Sequence, residues 1–341
     1  MPSQDRDTRI ITICLIVLTV YSTGAVLFVL RAVLVPFVLA LFLTMGLAPL
    51  IGMQMRRFRF PRPVAVVTSV AIAVTLLALA GIITSVSVGR MIQNAGQYQQ
   101  QIRLFTTNTL AQLPLEQYGI QESQLVALIP QQVGGAVVGI GNAVVDILSN
   151  GILVIVFVIF LLIGRTAAAP RASVWVEVET RVQRYLSIKF MVSLVTGFSV
   201  GLVLQFLGVP FALMFGLLSF LLNFIPSVGS IMATLLPLPV VMVDPSLSTG
   251  TAVMAIALPG AIQMTMGNFI EPKIYGESLD VHPIVTLMSL VLWGTLWGIV
   301  GMFLAAPLAA VIRIFLGRLE YTRPFAEAMA GRLDPLFGGE D

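Results

Sequence analysis

The chain has 341 residues, of which 57% are hydrophobic and only 10% are charged. Soluble domains carry roughly 25% charged residues, so this composition predicts an all-α integral membrane protein with several spans. The formal net charge of +3 does not indicate a nucleic-acid partner, because the cations cluster beside apolar runs, as topology signals do. The single cysteine, Cys14, excludes an intramolecular disulfide and a thiolate metal site.

Residues 1–88 are predicted to contain three membrane spans. Ile10–Leu30 and Ala32–Met53 form a hairpin, and Val64–Val88 leads back across the bilayer. A cluster of arginines within residues 56–62 closes the hairpin. Because Lys and Arg are enriched in cytoplasmic loops, we expect this cluster and the N-terminus in the cytoplasm.

Residues 89–146 are polar, with apolar residues at roughly helical spacing, and are expected to form an extracytoplasmic helical region. Residues 147–189 are predicted to hold one span, Ile147–Gly164, and a cytoplasmic amphipathic helix that anchors the chain at the interface. The apolar stripe of that helix is Val174, Val178, Val182, Tyr185 and Leu186. The cations that place this region in the cytoplasm are Arg165, Arg171, Arg181, Arg184 and Lys189.

Residues 190–318 contain broken apolar segments and are predicted to form the transport core. After the span Phe190–Leu207, two runs within residues 211–243 are each too short to cross a hydrocarbon core of roughly 30 Å, so they suit a re-entrant hairpin. A full run, Thr251–Asn268, follows, and Ile284–Ile312 is interrupted by glycines. Because arginines follow it, this last run is expected to turn back, which leaves the tail, residues 319–341, in the cytoplasm.

The core therefore has the pattern of an inverted repeat, in which a full span and a broken hairpin occur twice from opposite sides. The two broken segments are predicted to be re-entrant helical hairpins. Secondary transporters are often built this way, with substrate sites where broken helices meet. Two similar strings mark the breaks: Asn223-Phe224-Ile225-Pro226 with Gly229, and Asn268-Phe269-Ile270-Glu271-Pro272 with Gly276.

The polar and helix-breaking residues of these strings are the candidate binding residues for a small polar solute, H⁺ or Na⁺. An asparagine amide can satisfy freed backbone groups or bind a polar solute. Glu271 and Lys273 are ionisable near hydrocarbon: they could pair, bind a proton or cation, or extend their charges into interfacial water. The full set is Asn223, Pro226, Gly229, Asn268, Glu271, Pro272, Lys273 and Gly276.

One motif tests the possibility of an enzyme. Residues 197–201 fit the G-x-S-x-G pattern of a serine nucleophile, for which His282 would be the base. That nucleophile needs a strand-to-helix turn, whereas these residues lie in an unbroken apolar run, where glycines four apart are typical of a helix-packing face. No zinc-protease or P-loop motif occurs. We therefore predict no enzymatic activity, no cofactor and no metal, with transport either passive or driven by a gradient.

Three motifs are similar to those of the autoinducer-2 exporter family of bacterial transporters: Leu207–Gly229, Asn268–Gly276 and Gly298–Ala310. The likeness extends from the first span to about Arg318. It implies a multi-pass protein of the bacterial inner membrane with about eight membrane segments. It also implies a homo-oligomer, for which a pentamer is one form. Members are associated with export of the quorum-sensing signal autoinducer-2, and some are similar to sodium/proton antiporters.

The resemblance carries over to individual positions of this chain. They are Pro226, Gly229, Glu271, Pro272, Gly276, Gly301 and Pro307. Ser227 departs from the pattern, because an aromatic residue often follows the proline in the family. Three functions stay open: export of autoinducer-2 or a related metabolite, Na⁺(Li⁺)/H⁺ antiport with Glu271 as the proton carrier, and a passive channel or oligomeric membrane scaffold.

Overall fold

The computed structural model describes residues 2–93, 151–164, 173–244, 246–275 and 280–332. Within these ranges the regular secondary structure is helical, with no β-strand, which confirms the all-α prediction. The helices are α1 (Pro2–Val29), α2 (Arg31–Arg57), α3 (Arg62–Gln93), α4 (Gly151–Ile163), α5 (Ser173–Phe206), α6 (Ala212–Leu222), α7 (Val228–Leu235), α8 (Leu238–Val243), α9 (Thr249–Thr265), α10 (Glu271–Tyr275), α11 (Pro283–Leu316) and α12 (Arg323–Met329), with a π-helical turn at Met266–Ile270. Most of the predicted extracytoplasmic region, and Gly276, lie outside the described residues.

Five helices in the described ranges are long and apolar enough to cross a membrane: Arg31–Arg57, Arg62–Arg90, Val174–Phe206, Thr249–Ile274 and Pro283–Leu316. Shorter apolar helices accompany them, at Cys14–Val29, Gly151–Ile163, Ala212–Leu222 and Val228–Met242. These helices have the length and composition of a multi-pass membrane protein. The number of eight membrane segments stays a prediction.

The chain divides into two compact units. The first unit comprises Met1–Thr44, Leu153–Val178 and Asp280–Asp341, and the second comprises Met45–Ile152 and Glu179–Leu279. All candidate binding residues named from the sequence belong to the second unit. The predicted transport core, residues 190–318, contributes to both.

Helix α5 is continuous where two elements were predicted. It runs for 34 residues from Ser173 to Phe206. No proline interrupts it and its first glycine is Gly197, so nothing in the sequence ends the helix between the amphipathic stripe and the span. Val182 and Tyr185 of the stripe are buried. The predicted amphipathic segment is thus the beginning of a longer helix rather than a separate element.

In the second unit the chain reverses between α6 and α7. Ser227 has a φ of 58°, which turns the backbone after Pro226. Gly229 then lies directly against the end of α6, where an added Cβ would be 1.8 Å from the carbonyl oxygen of Leu222. Only a residue without a side chain permits this approach. The two short helices predicted within residues 211–243 therefore form a tight helical hairpin.

In the first unit α11 also folds back on itself, at Gly298, whose φ is 64°. In a straight helix Ser289 and Ala305 would be roughly 24 Å apart. Instead the Ser289 hydroxyl donates a hydrogen bond of 2.8 Å to the Ala305 carbonyl. Beyond the fold, Arg313 pairs with Asp280 at 2.5 Å. The beginning and the end of α11 thus lie side by side, which agrees with the predicted turning back of this segment.

The predicted break at Asn268–Gly276 is wrong over the described part, residues 268–275. The helix continues through a π-helical turn into α10, and the Glu271 N–H donates to the Met266 carbonyl, five residues back. A proline ring clashes with the carbonyl four residues before it in a regular α-helix. A wider turn relieves this clash at Pro272, so the proline widens the helix instead of ending it.

Candidate functional site

A buried ion pair joins two helices of the second unit. Lys189 on α5 places its Nζ atom 2.6 Å from Oε1 of Glu271, at the start of α10. The Lys189 side chain is 6% exposed and the Glu271 side chain is 17% exposed. Charged groups with so little exposure to water need a partner of opposite sign, because the desolvation of a lone ion costs on the order of several kcal/mol.

Two neutral polar side chains complete the cluster. The Asn223 amide nitrogen donates a hydrogen bond of 3.0 Å to the Ser193 hydroxyl, and it lies 3.5 Å from the same Glu271 oxygen that binds Lys189. Asn223 is 3% exposed and Ser193 is fully buried. Glu271 is therefore the common acceptor for an ammonium group and an amide.

The local fold explains why these side chains meet. Lys189 and Ser193 are one helical turn apart on α5, so they share a face. Asn223 directly follows α6 as its C-cap residue, immediately before the hairpin turn. The π-helical turn places Glu271 at the beginning of α10. Asn223 and Glu271 are thus placed by the end and by the irregularity of a helix, whereas Lys189 and Ser193 lie within a regular one.

Glycines allow the two helices that carry Lys189 and Asn223 to touch. An added Cβ at Gly197 of α5 would lie 2.6 Å from the carbonyl oxygen of Gly216 on α6, and one at Gly216 would lie 2.8 Å from the Cα of Gly201. Small residues at such positions are the usual basis of close helix contact in membranes. The glycines of the G-x-S-x-G string therefore form a packing face.

His282 also has a structural position. It precedes α11, where its Nδ1 accepts a hydrogen bond of 3.3 Å from the Ile284 N–H, and its own N–H donates to the Met329 carbonyl at 2.8 Å. These contacts make it the N-cap of α11. In the described residues no group of three or more His, Cys, Asp or Glu side chains is placed to hold a metal ion.

The structure brings together only some of the residues predicted from the sequence. Asn223 and Glu271 meet, while Pro226 and Gly229 shape the hairpin turn next to Asn223. The other described candidates, Asn268, Pro272 and Lys273, are exposed, and Gly276 lies outside the described residues. The suggested pairing of Glu271 with Lys273 is wrong, because Glu271 binds Lys189 instead.

Lys189 and Ser193 were missed as site residues. Lys189 was assigned to the cytoplasmic cations because it follows Arg181 and Arg184 in the sequence. The position of Lys189 on the helix could have indicated that its side chain is buried. Four residues after Tyr185 and seven after Val182, it continues the buried stripe of α5.

Comparison with known proteins decides the family. A family model described as AI-2E family transporter matches residues 11–320. The chain belongs to this family. It is 31% identical over 301 residues to the AI-2 transport protein TqsA of Escherichia coli, covering 83% of this chain and 85% of TqsA.

Two further relatives of this AI-2E family member are provisionally named as transport proteins. YhhT of Escherichia coli is 28% identical over 297 residues, covering 83% of this chain and 84% of YhhT. A Haemophilus influenzae protein is 31% identical over 340 residues, covering 90% of this chain and 94% of that protein. The family and these names assign the chain to transport, and the predicted resemblance is confirmed.

Proposed function

We propose that this protein is a secondary transporter that exports a small polar solute, with autoinducer-2 or a related metabolite as that solute. The observation that carries the proposal is the Lys189–Glu271 pair beside Asn223. Ionisable residues inside membrane segments are costly and mark substrate or ion pathways. The solute is taken from the printed name of TqsA, which is a relative and not this protein.

The mechanism follows from the shared acceptor. A solute hydroxyl that donates to Glu271, or accepts from Lys189, takes over one contact of the pair. Asn223 lies at the turn between α6 and α7. Loss of its contact with Glu271 therefore removes one of the interactions that fix this turn. A solute can shift a conformational equilibrium only through contacts that differ between two states. Replacement of a protein contact of Glu271 by a solute hydroxyl is such a difference between the empty and the loaded state.

We propose further that the two hairpins re-enter the membrane from opposite sides, as an inverted repeat. The same contact at both turns supports this: a glycine lies against the carbonyl oxygen of the first arm, at Leu222 in one hairpin and at Trp293 in the other. On this proposal both termini are cytoplasmic, the protein resides in the bacterial inner membrane, and copies assemble into a homo-oligomer.

Cation/proton antiport is the second candidate, and it is favoured by the partly buried carboxylate of Glu271. A carboxylate can carry a proton or hold Na⁺. The ammonium group of Lys189 already lies 2.6 Å away, so a bound cation has to replace this positive charge, whereas a neutral solute exchanges one contact and leaves the ammonium group in the site. This difference ranks solute export first.

Flux into proteoliposomes under an imposed pH gradient tests the proposal, with autoinducer-2 and Na⁺ supplied separately. Saturable autoinducer-2 flux that Glu271→Gln abolishes is the expected result, and Lys273→Met, which changes an exposed cation, is the control. Saturable flux of Na⁺ alone would establish the antiporter. Flux without saturation would indicate a channel, and absence of flux for both would favour a scaffold.

A further inference from the structure

Gln263, on α9 of the second unit, has a buried side-chain amide with unsatisfied hydrogen-bonding groups. It is 4% exposed, and neither its Nε2 nor its Oε1 atom has a partner among the described residues. Native proteins pair nearly all buried polar atoms, because an unpaired one loses its bonds to water without compensation. Gln263 therefore presents both a donor and an acceptor to something other than the described protein.

Gln263 lies on the same face of its helix as the ion pair. Ala255, Pro259 and Gln263 are the buried residues of α9 and are spaced four apart. The π-helical turn inserts one residue, so Glu271, eight residues after Gln263, continues this stripe. Between them, an added Cβ at Gly267 would meet no atom within 4 Å. Among the described residues, therefore, no side chain is packed against Gly267 between the two polar groups.

Two contacts of the second unit relate the position of Gln263 to that of a second unpaired group, the Ser219 hydroxyl. Glu271 is level with Lys189, and Ala255 belongs to the apolar cluster that contains Leu204. Position 263 is the midpoint of 255 and 271, and position 197 is next to the midpoint of 189 and 204. Antiparallel packing of α9 on α5 at these two places would therefore bring Gln263 level with Gly197. Across the contact with α6, Gly197 faces Gly216 and Phe220, and Ser219 directly precedes Phe220 in the sequence.

Ser219 strengthens the case for a binding position at this level. It is fully buried, and its hydroxyl has no partner among the described residues. It lies one helical turn before Asn223 on α6. Gln263 and Ser219 thus lie between the ion pair and the apolar cluster around Leu204, and both have unsatisfied hydrogen-bonding groups.

We propose that Gln263 and Ser219 form a second binding position in the second unit, which takes a small neutral solute that carries hydroxyl groups. A bare cation satisfies the amide oxygen and leaves the amide N–H groups unpaired. A solute that carries hydroxyl groups can donate to the amide oxygen and also accept from an amide N–H, so it serves both ends of the Gln263 side chain. This proposal rests on the proposed transport function and adds to it the residues that select for the solute.

A stability comparison in detergent, without added solute, is the first test. Gln54 is the matched control, since it is also buried in the second unit but its Oε1 accepts a hydrogen bond of 2.5 Å from Thr68. Gln54→Leu should lower the Tm, because it removes that bond. Gln263→Leu should leave the Tm unchanged or raise it. A loss as large as that of the control would mean that Gln263 is bonded within the folded protein or to a fixed water, which would overturn the proposal.

Flux in proteoliposomes is the second test, with autoinducer-2 and radioactive sodium as probes. Gln263→Leu should reduce autoinducer-2 flux by about tenfold or more, the effect of losing one or two hydrogen bonds, and Ser219→Ala should reduce it less. Sodium flux, if present, should not change. Unaltered autoinducer-2 flux in Gln263→Leu, or loss of sodium flux, would overturn the inference and leave transport standing. A wild type that carries no autoinducer-2 would refute the proposed solute, and the Tm comparison would then decide the role of Gln263.

Discussion

The ammonium group of Lys189 is held inside the second unit chiefly by one carboxylate oxygen. In a buried pair, loss of either partner leaves an uncompensated charge, whereas neutral replacement of both is often tolerated. The pair is thus the place where a single change should have its largest effect on both stability and transport.

The first prediction is a double-mutant cycle on this pair. Glu271→Gln and Lys189→Met should each destabilise the protein by about 3–5 kcal/mol, because each isolates the other charge. The double variant should recover most of the stability but no transport. Tm and autoinducer-2 flux are the measurements, and Lys273→Met, at an exposed position, should change neither. If Lys189→Met is as mild as Lys273→Met, the pair does not form in the membrane.

The second prediction compares the two asparagines that occupy matching places in the sequence. Asn223→Ala should cost about 1–3 kcal/mol, because it leaves the buried Ser193 hydroxyl without its donor. Asn268 is exposed, so Asn268→Ala should stay within about 0.5 kcal/mol. Thermal unfolding in detergent measures both. Equal losses would show that the two positions are equivalent after all.

The helical elements depend on a few positions where the backbone comes close to itself. Both hairpins reverse next to a residue with positive φ, Ser227 in one and Gly298 in the other. Each is then packed by a glycine against a carbonyl group of its first arm. These contacts bring the backbones of the two arms together. A side chain added at either glycine should therefore push the arms apart and destabilise the whole hairpin.

The third prediction tests these contacts with alanine. In Gly229→Ala and Gly301→Ala the new Cβ would lie 1.8 Å and 1.9 Å from a carbonyl oxygen, so both should destabilise by about 3 kcal/mol or more and reduce flux. Gly24→Ala is the control, because no atom lies within 4 Å of its added Cβ. Alanine there should be neutral or stabilise α1 by up to about 1 kcal/mol. Wild-type Tm values for both hairpin variants would refute the close contacts.

Much of this element structure could be predicted from the sequence. Short apolar runs separated by Pro and Gly indicated the α6–α7 hairpin, and the arginines after Ile312 indicated that α11 turns back. The π-helical turn could not be predicted, because a proline such as Pro272 ends helices more often than it widens them. The same error made Asn268 look equivalent to Asn223, although in the described residues the chain reverses directly after Asn223 and continues as a helix after Asn268.

The ion pair was beyond prediction for a different reason. The number of cations near a span indicates orientation, but it does not tell which cation faces inwards. Lys189 could be distinguished from Arg181 and Arg184 only once α5 was known to be continuous through the stripe. Its partner, Glu271, is 82 residues away in the sequence. A single sequence does not indicate which such distant residues are in contact.

The whole molecule has charged groups tied together at the ends of its helices. In the first unit, Arg313 and Arg332 share Asp280, and Arg318 pairs with Glu177. Helix α12 is held in the same region, since the Arg313 side chain donates to the Ala326 carbonyl. The two ends of α11 and the beginning of the tail therefore belong to one side of the first unit, which makes the location of Arg332 informative about topology.

The fourth prediction concerns orientation in the membrane. Cys14 is exposed and must be removed first. In that background, cysteines at Arg59 and Arg332 should be protected from a membrane-impermeant thiol reagent added to intact cells, and one at Gln117 should be labelled. Labelling after cell lysis is the control for reactivity. Labelling of the Arg332 position from outside would exclude a cytoplasmic tail and, with it, the inverted repeat.

The contact at each hairpin turn also has a genetic consequence. Every amino acid has the carbonyl group against which Gly229 lies, so no replacement of Leu222 removes the obstacle to an alanine at 229. Gly294 differs, since the nearest atoms to its added Cβ belong to the flexible side chain of Met302, at 3.0 Å and beyond. A defect in Gly294→Ala should therefore be suppressed by Met302→Ala. Functional revertants of Gly229→Ala should restore glycine at the mutated codon itself, and a suppressor at Leu222 would contradict this.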